Sequence, residues 1–129
     1  ESVYQASRVQ KVCDDLGLWC FNPLWKKDQA ELIREVIDAG FHVIVSGVFA
    51  YPLGKDFVGR KLDGKMFDEL LSLRDKYKIS PSGEGGEIET TVLDAPFFKK
   101  KVEIMDYETL DTGGSWVFSV KKARLTDKA

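Results

Sequence analysis

Histidine is almost missing from this sequence: His42 is the single one in 129 residues. Cysteine is nearly as scarce, with Cys13 and Cys20 alone and no Cys-x-x-Cys pair. A zinc site of the usual Cys/His kind is thereby excluded, and no metal-ligand set is expected. Two cysteines make no disulfide framework, so both are expected as buried free thiols in a protein of the reducing cytoplasm. His42 falls inside an apolar run, where a satisfied core or edge histidine is commoner than a ligand. Long apolar runs are absent too. The longest, Val43 to Ala50, is far short of a membrane-spanning helix, and nothing has the layout of a signal peptide. Nor is there an excess of charge of either sign. A net charge of −2 gives no general attraction to nucleic acid or an anionic membrane, and neither is expected as a partner.

What remains is ordinary globular material. Hydrophobic content of 43% and charge of 31% suit one modest domain or a piece of a larger protein. Ser2-x-x-Gln5 reads as a capping box, followed by Val9, Val12, Cys13 and Leu16 at helical spacing, with Gly17 as the stop. Leu18 to Phe21 reads as a short strand ending in Asn22-Pro23. A second helix starts at Asp28-x-x-Glu31, buries Leu32, Ile33, Val36 and Ile37, and ends at Gly40. Phe41 to Ala50 has the continuous apolar character of a strand covered on both faces. Helix, strand, helix, strand in this order predicts Rossmann-like parallel strands joined by right-handed crossovers.

Residues 51–63 form a loop too long and too charged for a plain connector. A third helix follows with Phe67, Leu70, Leu71 and Tyr77 facing inward. Beyond Ile79 the pattern turns to antiparallel β: strands near 87–93, 102–105 and 116–125, the last two separated by Asp111-Thr112-Gly113-Gly114. In the last strand Trp116, Phe118 and Val120 alternate inward. The fold class is thus α/β, Rossmann-like at first and antiparallel-leaning β afterwards. The chain opens on a helix without the strand such a sheet normally begins with, so it reads as the later part of a longer protein. Residues 1–24 then close a nucleotide-binding domain, and 25–129 form a second, substrate-side domain.

The chemistry concentrates in Gly83-Glu84-Gly85-Gly86-Glu87-Ile88-Glu89-Thr90. Glycine-rich loops can cradle phosphate, but this one carries Glu84 and Glu87, lacks the lysine and serine of a P-loop, and enters a strand instead of a helix. Glu87 and Glu89 are two apart and project from one face of the strand, with Ile88, Thr90 and Val92 on the other. Carboxylates gathered at a strand entrance are costly unless they meet water, a cation or a hydrogen-bonding substrate. The competing reading is an exposed edge strand with gatekeeping charges. Pro23-Leu24-Trp25 ends a strand, where α/β proteins place ligands, or else Trp25 is packing. Arg60, after Gly59, can turn to an anion or form a surface salt bridge. Gln5 and Arg8 share a helix face, although Gln5 also serves the cap. Lys99-Lys100-Lys101 reads as a solvated strand start, and Tyr51 stays open.

These residues together carry a resemblance. Tyr4-Gln5-x-x-Arg8, Pro23-Leu24-Trp25, Gly40-Phe41, Gly59-Arg60, the 83–90 segment and Leu93-Asp94-Ala95-Pro96-Phe97-Phe98 occur in the order and spacing of one family. The chain resembles the C-terminal part of the diphthine–ammonia ligases, N-type ATP pyrophosphatases that complete diphthamide synthesis. Ile88 stands where the family has an aromatic residue. The Ser-Gly-Gly-Lys-Asp-Ser pyrophosphate loop that opens the family's proteins is absent from this sequence.

The resemblance implies an ATP-dependent amidation. The carboxylate of diphthine, a modified histidine of translation elongation factor two, is activated as an acyl-adenylate with loss of pyrophosphate. Ammonium supplies the nitrogen and AMP leaves. ATP, with Mg, would be held mainly outside this chain, so the isolated chain is expected to be inactive; a homodimer is also open. Glu84, Glu87 and Glu89 are the expected catalytic or cation-binding residues. Gly83, Gly85, Gly86, Thr90, Arg60, Trp25, Tyr51, Gln5 and Arg8 are the expected substrate-binding set. Two other readings stand beside it: a pyrophosphate-loop enzyme acting on another substrate such as tRNA, and a non-catalytic binding module.

Overall fold

A computed structural model describes residues 2–129 of the chain. Among them are three helices, α1 (Val3–Asp15), α2 (Gln29–Asp38) and α3 (Gly64–Tyr77). The four strands are β1 (His42–Val48), β2 (Ile88–Asp94), β3 (Lys100–Asp111) and β4 (Trp116–Asp127). Side-chain caps start each helix as the sequence requires. Ser2 Oγ accepts from the Gln5 N–H, Asp28 Oδ1 from Glu31 and Asp63 Oδ1 from Met66, each satisfying an N–H that the helix leaves without a partner. Gly40, at φ +78°, takes the left-handed position just beyond α2.

The strands make one sheet in the order β2-β1-β4-β3, with every neighbouring pair antiparallel. The α/β class therefore holds, but the expected Rossmann-like parallel strands are corrected. No strand forms at residues 18–21, so the first crossover has nothing to cross from. The run at Phe41 to Ala50 misled for a physical reason. Val43, Ile44 and Val45 are buried in succession, so both faces of β1 are covered, but two-sided burial says nothing about strand direction. β1 is central because both its edges are occupied. β2 lines one. On the other, Gly47 and Val48 pair with β4, and Val43 and Val45 exchange backbone hydrogen bonds with residues 59–62. The charged 51–63 loop thus ends as a short sheet-edge segment, preceded by a 3-10 turn at Lys55–Phe57.

The core lies on the helix side of β1 and β2. Val43, Val45, Val48 and Ile88 meet Ile33 of α2 and Met66, Phe67 and Leu70 of α3. The β3–β4 hairpin is long and mostly solvated, with Trp116 and Phe118 half-buried and Val120 exposed, against the inward alternation expected of all three. Its free end returns to β2 through Lys128. That ammonium donates to the carbonyls of Ala95 (2.7 Å) and Phe98 (3.0 Å) and pairs with Asp94 at 2.8 Å. The contact holds the Asp94 carboxyl below the usual carboxylate range.

One helix departs from its sequence reading. α1 buries none of its residues, and the stripe expected to face a core is open: Val9 is 52% exposed, Val12 56% and Leu16 66%. Cys13 and Cys20 are half-buried free thiols instead of buried ones, and Cys20 lies in irregular chain. Burial and a hydrogen bond to Cys20 push the Cys13 thiol up.

Candidate functional site: the Gly83–Thr90 loop and the cleft beside it

The motif segment is a rigid double turn that feeds into β2. The Gly83 N–H donates to the Ser80 carbonyl and the Gly86 N–H to the Gly83 carbonyl, both at 2.9 Å. Gly83 has φ +76°, and a Cβ there would sit 2.6 Å from the Ile88 carbonyl oxygen; only glycine fits. The turn is tethered to α2 by Gln29, whose Oε1 accepts from both the N–H (3.3 Å) and the hydroxyl (2.8 Å) of Ser82. It is tethered to β1 where the Phe49 N–H donates to the Glu87 carbonyl at 2.9 Å. The N–H groups of Ser80, Ser82, Gly83 and Gly86 are therefore all spoken for by the protein itself. A loop that cradles phosphate needs such groups free. Those four N–H groups are therefore not available to a phosphate, and the carboxylates of Glu84 and Glu87 would repel one.

The three glutamates have three different surroundings. Glu87 turns back into its own loop. Its Oε1 accepts the Ser80 N–H at 3.1 Å, and its Oε2 is fully buried without a hydrogen-bond partner. The carboxylate lies against Gly85, where a Cβ would be 2.6 Å from both of its oxygens. Glu89 is exposed on the opposite face of the sheet from Ile88, beside Gly47 and across from the helices. Glu84 projects from the tip of the turn into a cleft of about 430 Å³ that it shares with Gln5, Val9, Phe21, Asn22 and Trp25. Among the described residues, no group of three or more His, Cys, Asp or Glu stands close enough to hold a metal ion.

Of the candidate residues, Gln5, Trp25 and Glu84 line this one cleft, and the others lie apart from it. Arg60 is committed elsewhere: its guanidinium makes a bidentate pair with Glu69 at 2.9 and 3.0 Å and lies over the Phe57 ring. That contact raises the Arg60 pKa and lowers that of Glu69. Arg60 lines a different groove, with Lys55, Tyr107 and Phe118, that shares no residue with the Glu84 cleft. Arg8 lies over the Tyr4 ring, 4.2 Å from its centroid, and does not line the cleft. Tyr51 packs edge-on against Tyr77 and is otherwise exposed. Thr90 lies on the helix side of β2, in an apolar groove with Leu32 and Val36.

Sequence reasoning missed Phe21 and Asn22 as cleft residues, because they read as the end of a strand that does not form. It also missed Gln29 and Ser82, 53 positions apart, which no local pattern connects.

Residues 28–126 match the sequence profile of the diphthamide synthase C-terminal domain. The chain belongs to that family. Proteins named diphthine–ammonia ligase are similar to it over most of its length. The one from Schizosaccharomyces pombe is 41% identical over 128 residues, 98% of this chain. Those from Danio rerio and Homo sapiens are 44% and 39% identical over 110 residues, 84% of this chain. The chain spans only 21%, 43% and 41% of these three relatives' own lengths. Within this diphthamide synthase domain lie the whole 83–90 segment and Arg60, whereas Gln5, Phe21 and Trp25 precede the matched region. The cleft is therefore formed jointly by the C-terminal domain and the chain leading into it. No helix among the described residues is long and apolar enough to cross a membrane.

Proposed function

We propose that this chain is the substrate-side part of an ATP-dependent diphthine–ammonia ligase, and that its 83–90 segment handles the nitrogen nucleophile. The reaction converts the diphthine carboxylate of translation elongation factor two to an amide, with ammonium as nitrogen donor and AMP and pyrophosphate as co-products. Glu87 is the observation that carries this reading. A buried carboxylate oxygen without a donor costs about 1–3 kcal/mol or more, so Oε2 is a standing acceptor in want of a small N–H donor. Ammonium is such a donor. It becomes a nucleophile only when a proton leaves it; transfer from its nitrogen to Glu87 Oε2 frees the lone pair for attack on the activated carbonyl. Glu89 adds a further exposed carboxylate near the strand entrance, which favours the approach of a cationic substrate.

Nucleotide binding and carboxylate activation are assigned to the remainder of the intact protein. Residues 1–24 are assigned to that nucleotide-binding side. The C-terminal domain profile begins at residue 28, and α1 has no buried residue of its own. The test is direct. Intact protein, ATP, ammonium and diphthine-bearing elongation factor two should yield AMP and the amide, read by mass spectrometry of the modified histidine. Folded protein that makes neither product would overturn the reading.

A further inference from the structure

The residues that begin the motif turn also line a second groove, and its charge is of the opposite sign. This groove of about 500 Å³ runs between the start of α2 and the end of α3. Lys26, Arg74 and Lys78 bring three positive charges to it against one carboxylate, Asp28, on a chain whose net charge is −2. Asp28 is already engaged, because its Oδ1 accepts the Glu31 N–H as the cap of α2. That helix begins at the groove, so the positive end of its dipole adds to the field. Two of the cations are held in costly backbone. Lys26 has φ +58° and Lys78 φ +62°, and among the described residues no others except glycines have positive φ. An L side chain is strained there, and glycine or asparagine is preferred. Lys78 has a local reason for its place: it ends α3, and its ammonium donates to the Asp75 carbonyl at 3.2 Å. Arg74 shares that helix end and pairs with Asp75. Lys26 has no such reason. It sits in the turn before α2 and makes no hydrogen bond or ion pair among the described residues. A strained lysine without an internal bond, lining a groove with two further cations, points to an anion from outside.

We infer that this groove docks an acidic peptide segment of a protein partner, whose carboxylates pair with Lys26, Arg74 and Lys78. The lining decides among anions. Its described residues include no aromatic ring on which a nucleic-acid base could stack. Asp28 interrupts the positive surface that a continuous phosphate backbone needs. Carboxylates spaced along a peptide can take the three cations separately. The volume also suits a ligand larger than one small anion. The inference goes beyond the ligase reading and does not depend on it, although the placement connects the two. Ser80 lines the groove and donates its N–H to Glu87 Oε1 at 3.1 Å. A partner docked here therefore lies against the segment that holds the Glu87 carboxylate.

Fluorescence anisotropy of labelled hexaglutamate and hexaglutamine peptides, titrated with the intact protein at low salt, tests this without turnover. Hexaglutamate should bind at least about tenfold tighter than hexaglutamine, and added salt should weaken it. Lys26→Asn should lower hexaglutamate affinity about two- to fivefold, the worth of one exposed ion pair. Its urea midpoint should stay at or above the wild-type value, because asparagine suits left-handed backbone better than lysine does. The triple variant Lys26→Asn, Arg74→Gln, Lys78→Asn should bind both peptides equally. Lys122→Gln, exposed on the β3–β4 hairpin, should change nothing. Equal binding of the two peptides by the wild type, or a triple variant that keeps the preference, would overturn the inference. So would a loss in Lys122→Gln as large as that in Lys26→Asn, which would mark the attraction as general charge. A short RNA oligonucleotide that displaces hexaglutamate and binds tighter would overturn it in favour of nucleic acid. A protein that docks hexaglutamate through these residues but forms no amide would leave the groove assignment standing and sink the ligase reading; amide formation without docking would do the reverse.

Discussion

At the scale of single residues, the motif is explained by what each position must not be. Gly83 cannot bear a side chain, because φ is +76° and the Ile88 carbonyl oxygen stands 2.6 Å from where Cβ would be. Gly83→Ala should therefore cost about 1–3 kcal/mol, measured by urea denaturation; an unchanged midpoint would show that the turn is softer than described. His42 is a different case. Burial, then the positive charge of Lys61 and Lys101, lowers its pKa against the opposing pull of Asp94. The folded state therefore resists protonation that the unfolded chain accepts. Its contribution is complete above the unfolded value of about 6.5 and is lost as pH falls through the lower folded value. The stability difference between pH 7 and pH 5 should be smaller in His42→Gln than in the wild type. Equal differences would remove His42 as the cause.

At the scale of elements, the capped helices, the stops and the three C-terminal strands were legible in the sequence, because each is specified locally. Ser2 and Asp28 cap where they should, and Ile88–Asp94 lies within a residue of the strand expected at 87–93. Strand direction was not legible. Nothing local distinguishes a central antiparallel strand from a parallel one when both its faces are covered, as at Val43 to Val45. The grouping of site residues was legible only in part. Gln5, Trp25 and Glu84 meet, but Arg60 finds Glu69 nine positions away and leaves the site. α1 is the element whose surroundings the described residues leave incomplete. Its periodic stripe of Val9, Val12 and Leu16 has the pattern of a packed face and is open. If residues 1–24 close the nucleotide-binding side, hydrogen exchange at Val9 to Leu16 should be slow in the intact protein and fast in this 129-residue chain. Equal rates in both would contradict that assignment.

At the scale of the whole molecule, the arrangement divides labour. A helix-backed antiparallel sheet presents a rigid turn at one end of β2, and Lys128 fastens the other end of β2 to the hairpin. The turn offers carboxylates, and the N–H groups of Ser80, Ser82, Gly83 and Gly86 are already bonded within the protein; in the function proposed above, the chain would supply the nucleophile's side of an amidation. The relatives' greater length leaves room for that division. The central claim is that Glu87 takes the proton from ammonium. The measurement that bears on it most directly is the ammonium dependence of amide formation by intact Glu87→Gln protein. We predict a fall of about 10²–10⁴ in kcat/KM for ammonium, with thermal stability close to the wild type and diphthine KM unchanged. A Glu87→Gln protein that amidates diphthine at the wild-type rate across the ammonium titration would contradict it.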